Sequence, residues 1–170
     1  EMGLSKRLKI VCPKTAMAIA KECGAAYDEN VYGAVTWYWT AQDYYPKARK
    51  FVDAYMKKYT TPPDADADSG YVATMALFEA MRKAGTVDDV DKLIETLEGQ
   101  VWQYNKGPEG FRPCDHARTS SVFVVQGKGA KAEGWDVFKV ISEVPYWQTL
   151  ESCENNAKDY PYGQVKLPGK

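Results

Sequence analysis

The chain has little net charge, few cysteines and no long apolar run, and each of these absences narrows its class. Its 22 basic and 23 acidic residues leave a net charge of -1, whereas dedicated nucleic-acid binders usually carry a basic face. No apolar run approaches the roughly 20 residues of a membrane-spanning helix. The 4 cysteines include no CxxC pair, so the sequence does not support a zinc ribbon or a thioredoxin-type site.

The composition is that of a globular chain with an excess of aromatic residues. A length of 170 residues favours one domain, and 45% hydrophobic residues suffice for a core. The 12 tyrosines and 5 tryptophans are typical of clefts and interfaces, because both side chains join an apolar body to a polar edge. The first residues lack the apolar segment of a signal peptide. This predicts a cytosolic protein, or a chain that is mature or shortened.

Hydrophobic periodicity predicts an α/β fold in the order strand–helix–strand, three helices and a strand hairpin. Thr15 is placed to cap the first helix. Pro46 is typical of a first helical turn, and Ser69 and Thr86 are predicted to cap the two helices that follow. The predicted strands cover residues 7–12, 34–39, 119–126 and 135–141, residues 105–110 are predicted to be a turn cluster, and residues 151–170 a surface tail.

Several short motifs follow one another in an order that points to a known family. They are Tyr32-Gly33-Ala34-Val35-Thr36-Trp37-Tyr38, Pro46 with Phe51, Val52 and Tyr55, Gly70-Tyr71 with Ala73 and Ala84-Gly85, and Gly110-Phe111-Arg112 with Asp115-His116. In this order they resemble the type I periplasmic solute-binding proteins. More narrowly, the chain resembles the branched-chain amino acid and amide-binding group of ABC importers.

The resemblance implies a fold, a domain division and a function. Family members have two three-layer α/β lobes and about twice this length, so the chain is expected to be a C-terminal portion whose N-terminal half is missing. Residues 1–44 are expected to belong to the second lobe, residues 45–112 to be helices of the first lobe, and residues 113–150 to return to the second lobe as a hairpin. The implied role is capture of a small molecule by hinge closure outside the cytoplasm, and delivery to a membrane permease, without a cofactor or catalysis.

Two loops at the carboxyl ends of the first strands are the expected ligand contacts, because open α/β sheets bind ligands there. The first loop contains Lys14 and Thr15. In amino-acid-binding relatives a carboxylate near this point holds the ligand's ammonium group, so the resemblance implies an acid or a neutral solute here. The alternative interpretation of Lys14 is an ordinary surface lysine.

The second loop follows Trp39, and the candidate ligand contacts in and before it are Trp37, Tyr38, Trp39 and Tyr44. Alternation along a strand predicts that Trp37 and Trp39 share one face and that Tyr38 lies on the other. One of these faces is expected to line the cleft. Hinge and core packing is the alternative for each ring.

Catalytic and metal-binding patterns are incomplete. Asp115 and His116 are neighbours in the chain, so Asp115 is badly placed to orient His116 as a triad requires. Asp64, Asp66 and Asp68 match the start of a calcium loop. However, Ser69 and Met75 occupy the positions where that loop requires glycine and glutamate. A small α/β hydrolase and a sensory module with the same fold remain alternative functions. A homodimer is also compatible with unpaired strand edges.

Cys114 and Cys153 flank the predicted second-lobe hairpin. If the chain is exported, as the resemblance implies, a bridge between them would hold the tail in place. In the loop-entropy treatment such a bridge contributes roughly 4 kcal/mol. Two free buried thiols are the alternative.

Overall fold

The fold is known from a computed structural model, which describes residues 4–98 and 100–153. The strands are β1 Ile10–Cys12, β2 Val31–Val35, β3 Val101–Tyr104, β4 Gly107–Gly110, β5 Val122–Gly127 and β6 Phe138–Val144. The helices are α1 Met17–Cys23, α2 Pro46–Tyr59, α3 Ala65–Ala84 and α4 Val90–Leu97. Short 3-10 turns separate several of them, among them Trp39–Asp43 directly before α2.

The predicted α/β order is confirmed, and its strands form one four-stranded sheet in the order β1-β2-β5-β6. Strands β1 and β2 are parallel, so α1 is the crossover of a β-α-β unit. Strands β5 and β6 form the predicted antiparallel hairpin, with a register shift between Val124 and Val125. Strand β5 also pairs antiparallel with β2, which joins the hairpin to the β-α-β unit.

Two glycines allow loops to pack closely on this sheet. A Cβ atom at Gly127, the last residue of β5, would lie 2.2 Å from the carbonyl oxygen of Tyr27. A Cβ atom at Gly33 would lie 2.5 Å from the Thr15 methyl group. Real Cβ contacts are longer, so the absent side chains let the segment after α1 and the loop before it lie directly on β5 and β2.

The aromatic segment after β2 differs from its prediction. Strand β2 ends at Val35, so Trp37 and Tyr38 lie in a loop and do not alternate. Both side chains are buried, Trp37 at 1% and Tyr38 at 0% exposure. They pack in one core with Phe51 of α2 and Phe138 of β6. The predicted division of these rings between two faces is therefore wrong.

The helix starts show which capping predictions hold. Helix α2 begins at Pro46, as predicted. Helix α3 begins at Ala65 rather than after Ser69, because the Asp64 carboxylate accepts the Ala67 N–H at 2.8 Å. Thr15 and Thr86 are not caps either, since α1 and α4 begin after Ala16 and Asp89.

A second hairpin, β3–β4, occupies part of the segment that was predicted to be a turn cluster. Residues 105 and 106 are its two-residue turn, and Gln103 pairs with Pro108. Strand propensity does not predict β4, because three of its four residues, Gly107, Pro108 and Gly110, are poor strand formers. The strand is tolerated because it belongs to a two-stranded sheet and so needs a partner on one side only.

Buried residues fall into a sheet core and smaller clusters around α3. The sheet core includes Ala48, Phe51 and Val52 of α2. The first turn of α3 packs on this core through Ala65 and Ala67, and the rest of the helix packs mainly against α4 and the β3–β4 hairpin. Within this chain α2 therefore shares its core with the sheet. The division of residues 1–44, 45–112 and 113–150 between two lobes stays a prediction.

A disulfide bond joins Cys114 to Cys153, 39 positions apart. This is the predicted pair, and it connects the segment before β5 to the segment after β6. Cys12 is half-buried and Cys23 is exposed, and neither forms a disulfide. Of the predicted tail 151–170, residues 154–170 lie outside the described residues.

Replacing Gly127 by alanine is expected to lower the free energy of unfolding by about 1–3 kcal/mol, because the new methyl group meets backbone atoms of residues 27 and 28. Gly70→Ala is the matched control. Gly70 lies within α3, where an added Cβ meets no atom within 4 Å, so that change is expected to stabilise by about 0.5–1 kcal/mol. Urea denaturation measures both. Equal effects of the two substitutions would contradict the close approach at Gly127.

Alkylation of the denatured, non-reduced chain is expected to label Cys12 and Cys23 only, because Cys114 and Cys153 are bonded. Intact mass gives the number of labels, and peptide mapping gives their positions. Reduction before alkylation should add labels at the remaining two cysteines. Label at Cys114 and Cys153 without reduction would rule the bond out.

Candidate functional site

The loop after β1 lies at the edge where the carboxyl ends of β1 and β2 meet, because these two strands are parallel. Lys14 is exposed there. Thr15 is buried, and its hydroxyl oxygen accepts a hydrogen bond from the Tyr27 hydroxyl at 2.7 Å. Its backbone N–H donates to the Ala34 carbonyl at 3.1 Å. Thr15 therefore fixes the loop to β2, while the Lys14 side chain is exposed to solvent.

The loop after β2 is anchored by Tyr38. The Tyr38 hydroxyl donates to an Asp136 carboxylate oxygen at 3.0 Å and accepts the Phe138 N–H at 3.1 Å. Burial is the main reason that the pKa of Tyr38 lies above its ordinary value, and the Asp136 carboxylate raises it further. Tyr38 is thus a neutral buried anchor. Together with the buried Trp37, it attaches the loop to the sheet core.

Trp39 and Tyr44 are the accessible aromatic side chains of this loop. Trp39 is half-buried, and its indole N–H points at the Trp135 carbonyl at 3.4 Å. Tyr44 is 72% exposed. Of the sequence-predicted ligand contacts, Lys14, Trp39 and Tyr44 thus have side-chain surface available, whereas Thr15, Trp37 and Tyr38 are covered. A ligand role for any of these residues stays a prediction.

A buried ionic network, which the sequence did not indicate, connects α3 to the β3–β4 hairpin. The Arg118 guanidinium donates to an Asp68 carboxylate oxygen at 3.1 Å and to a Glu109 oxygen at 2.7 Å. Both carboxylates are buried, Asp68 at 0% and Glu109 at 2% exposure. Asn105 donates to the other oxygen of Asp68 at 2.8 Å, and Ser120 to that of Glu109 at 2.8 Å. Each carboxylate is therefore satisfied on both oxygens.

Lys106 completes the network from the hairpin turn. It is buried, its ammonium donates to the Ser121 carbonyl, and it lies 5.1 Å from the centre of the Phe123 ring. Burial lowers the pKa of Lys106 to about 8, although Glu109 and Asp68 act in the opposite direction. Burial also raises the pKa of Asp68, and Asn105 and Arg118 partly offset that rise.

Two of the three aspartates of the calcium-like pattern have other partners in the structure. Asp68 is paired with Arg118, and Asp64 caps α3. Over residues 4–98 and 100–153, no group of three or more histidine, cysteine or acidic side chains is arranged to hold a metal ion.

The side chains of Asp115 and His116, which are neighbours in the sequence, are directed to different residues. The Asp115 carboxylate binds the Arg112 guanidinium and accepts the Ala117 N–H at 3.0 Å. The His116 ring is instead 2.8 Å from a Glu98 oxygen. The two side chains thus have different partners, as the sequence analysis expected of neighbouring residues.

None of the helices in the described part of the chain is both long and apolar enough to cross a membrane. The periplasmic binding protein family matches residues 1–133 of the sequence. Because the match covers well over half of the 170 residues, the chain belongs to the periplasmic binding protein family.

Solved structures identify the fold as type I of that family. An amino acid ABC transporter substrate-binding protein from Pseudomonas fluorescens Pf-5 matches with a TM-score of 0.73 and 20% identity, over 84% of this chain and 38% of its own. A solute binding protein of an ABC transporter from Rhodopseudomonas palustris BisB5, in complex with 3,4-dihydroxy benzoic acid, matches with a TM-score of 0.71 and 22% identity, over 85% and 39%.

An ABC-type branched-chain amino acid transporter from Rhodopseudomonas palustris CGA009 has a TM-score of 0.67 and 26% identity, over 82% of this chain and 37% of its own. The chain thus spans less than two fifths of the length of each of these relatives. A search of curated proteins finds no match.

Replacing Lys106 by methionine is expected to change how stability depends on pH. The folded pKa of about 8 lies below the value near 10.4 of an unfolded lysine, so unfolding takes up a proton between these values. The Lys106 contribution to the free energy of unfolding therefore rises with pH in this window, by up to about 1.4 kcal/mol per pH unit.

The Lys106→Met variant lacks that rise, so its stability relative to the wild type should fall between about pH 8 and 10. Urea unfolding at several pH values measures it. Lys47→Met on α2 is the control, since Lys47 is exposed and its difference from the wild type should stay constant. A constant difference for Lys106→Met would contradict a buried ammonium group.

Proposed function

We propose that the chain is part of a solute-binding protein that captures a small molecule outside the cytoplasm and delivers it to the permease of an ABC importer. The observation that carries this proposal is the family match over residues 1–133. The type I fold of the solved relatives supports it, since the Pseudomonas and Rhodopseudomonas proteins are described as parts of ABC transporters. No catalytic step is proposed.

Binding would act by a shift of population between an open and a closed arrangement of two lobes. A ligand that contacts both lobes favours the closed state by its extra affinity for that state. In this proposal residues 1–44 and 113–150 contribute to one lobe and residues 45–112 to the other. The fixed loops after β1 and β2 present the ligand contacts on a rigid support.

Lys14 determines the proposed class of ligand. Its exposed ammonium group lies beside the carboxyl ends of β1 and β2, where it complements a carboxylate or a polar neutral group. Trp39 and Tyr44 offer ring surface to an apolar part of the same ligand. We therefore propose a small carboxylate or amide as ligand, with amino acids as the alternative. The relative from strain BisB5, whose structure contains 3,4-dihydroxy benzoic acid, supports the carboxylate.

The test is a thermal-shift titration of the full-length mature protein with branched-chain amino acids, short amides, and aliphatic and aromatic carboxylates. A ligand at 100 times its dissociation constant should stabilise the protein by about 2.7 kcal/mol. A response within the panel supports solute binding, and a carboxylate response supports the role of Lys14. A flat panel would count against the proposed ligand classes.

The Lys14→Gln variant tests whether Lys14 binds the ligand's carboxylate, separately from whether the protein binds solutes at all. Loss of one charge-assisted contact is expected to weaken carboxylate binding about tenfold, and to leave the binding of a neutral amide within about twofold. Lys47→Gln is the matched control, because it removes an exposed lysine from α2. Carboxylate affinity that is unchanged in Lys14→Gln would leave Lys14 as a surface lysine.

A further inference from the structure

A small cavity lies between the end of α4 and the segment that leads from β4 towards β5. Its volume is about 230 Å³, and its lining is largely apolar. Ile94, Leu97 and Phe111 form the apolar walls, and Glu98 and His116 form the polar end. We call this cavity the Glu98–His116 pocket. None of its residues belongs to the candidate ligand loops after β1 and β2.

The polar end of the pocket is held in a defined position. The His116 Nε2 atom lies 2.8 Å from a Glu98 carboxylate oxygen. His116 has a left-handed backbone with a φ of 57°, and its N–H donates to the Arg112 carbonyl at 2.9 Å. Arg112 is in turn paired with Asp115, and Cys114 forms the disulfide. The turn that carries the imidazole is therefore fixed at several points.

The charge of the pocket determines which ligand complements it. The His116 Nε2 atom lies at hydrogen-bond distance from one Glu98 oxygen, and Glu98 is the acidic residue of the pocket lining. The half-buried Glu98 carboxylate lies beside the apolar walls formed by Ile94, Leu97 and Phe111, so an amine bound there gains a charge-assisted hydrogen bond. A carboxylate accepts hydrogen bonds and does not donate them, so the complementary group is a cationic donor attached to an apolar body.

We propose that the Glu98–His116 pocket binds small primary amines with an apolar body, of which benzylamine is the probe. The ring packs against Ile94, Leu97 and Phe111, and the ammonium group donates to Glu98. Sites for drug-sized ligands measure about 300–1,000 Å³, so a cavity of about 230 Å³ accommodates a ligand of one ring or a short alkyl chain. The pocket lies beside the segment that leads from β4 towards β5. The proposal that it binds amines does not depend on the proposed solute-binding role.

The experiment is an NMR titration of the chain with benzylamine at constant pH and ionic strength. His116 is the sole histidine of the sequence, so its two ring C–H signals report on one place in the molecule. They are expected to shift and saturate, with a dissociation constant on the order of 1 mM. Benzyl alcohol has the same shape without the charge, and it is expected to bind about tenfold more weakly.

Two glutamates near the end of α4, Glu95 and Glu98, give a matched pair of variants. Glu98→Gln keeps a hydrogen-bonding side chain of the same size beside the His116 ring but removes the charge, so benzylamine should bind about tenfold more weakly, like benzyl alcohol. Glu95→Gln removes an equal charge from an exposed position of α4 outside the pocket lining. Its benzylamine affinity should stay within about twofold of the wild type.

A further variant keeps the proposal testable if Glu98→Gln does not fold. Ile94→Trp narrows the pocket from its partly exposed wall and leaves Glu98 unchanged, so it should abolish the benzylamine shift. Circular dichroism checks the fold of each variant. His116 signals that do not move, equal affinities for benzylamine and benzyl alcohol, or equal losses in Glu98→Gln and Glu95→Gln would each overturn the proposal.

Discussion

The Arg118 guanidinium, placed between the buried carboxylates of Asp68 and Glu109, is the interaction on which the arrangement of the chain depends. A buried carboxylate without a partner costs several kcal/mol. The segment before β5 must therefore stay beside both α3 and the β3–β4 hairpin. Because Arg118 lies just ahead of β5, the same pairs fix the helical clusters relative to the main sheet.

The aromatic residues after β2 have two separate roles, according to whether their side chains are buried or exposed. Trp37 and Tyr38 hold the loop after β2 to the sheet core, and Trp39 and Tyr44 carry the ring surface that remains accessible. Lys14 is presented in a similar way above the buried Thr15. In the proposed binding protein the recognition residues would thus stand next to their own anchors, which reduces the entropy that ligand binding has to overcome.

The sequence predicted those parts of the fold that local patterns determine. Pro46 marked the start of α2, and the apolar alternation after residue 119 marked the β5–β6 hairpin. It missed β4, whose Gly-Pro-Glu-Gly sequence suggests a turn and which forms through pairing with β3. It also missed the burial of Asp68 and Lys106, because charged residues are ordinarily exposed and their partners are up to 50 positions away. For the candidate site, the sequence predicted a loop after the first strand but extended the second strand to Trp39, and it did not predict which side chains are covered.

The Cys114–Cys153 bond makes the β5–β6 hairpin part of a covalent ring. The connection between these strands has exposed residues at Ala130, Lys131 and Gly134, so it is a place where a protease can cut. After such a cut, the two pieces would still be joined through sulfur and paired along the ladder, so the strands could not diffuse apart. A nicked molecule would keep its sheet, and the fragment that carries β6 would be released only after both reduction of the bond and loss of the strand pairing.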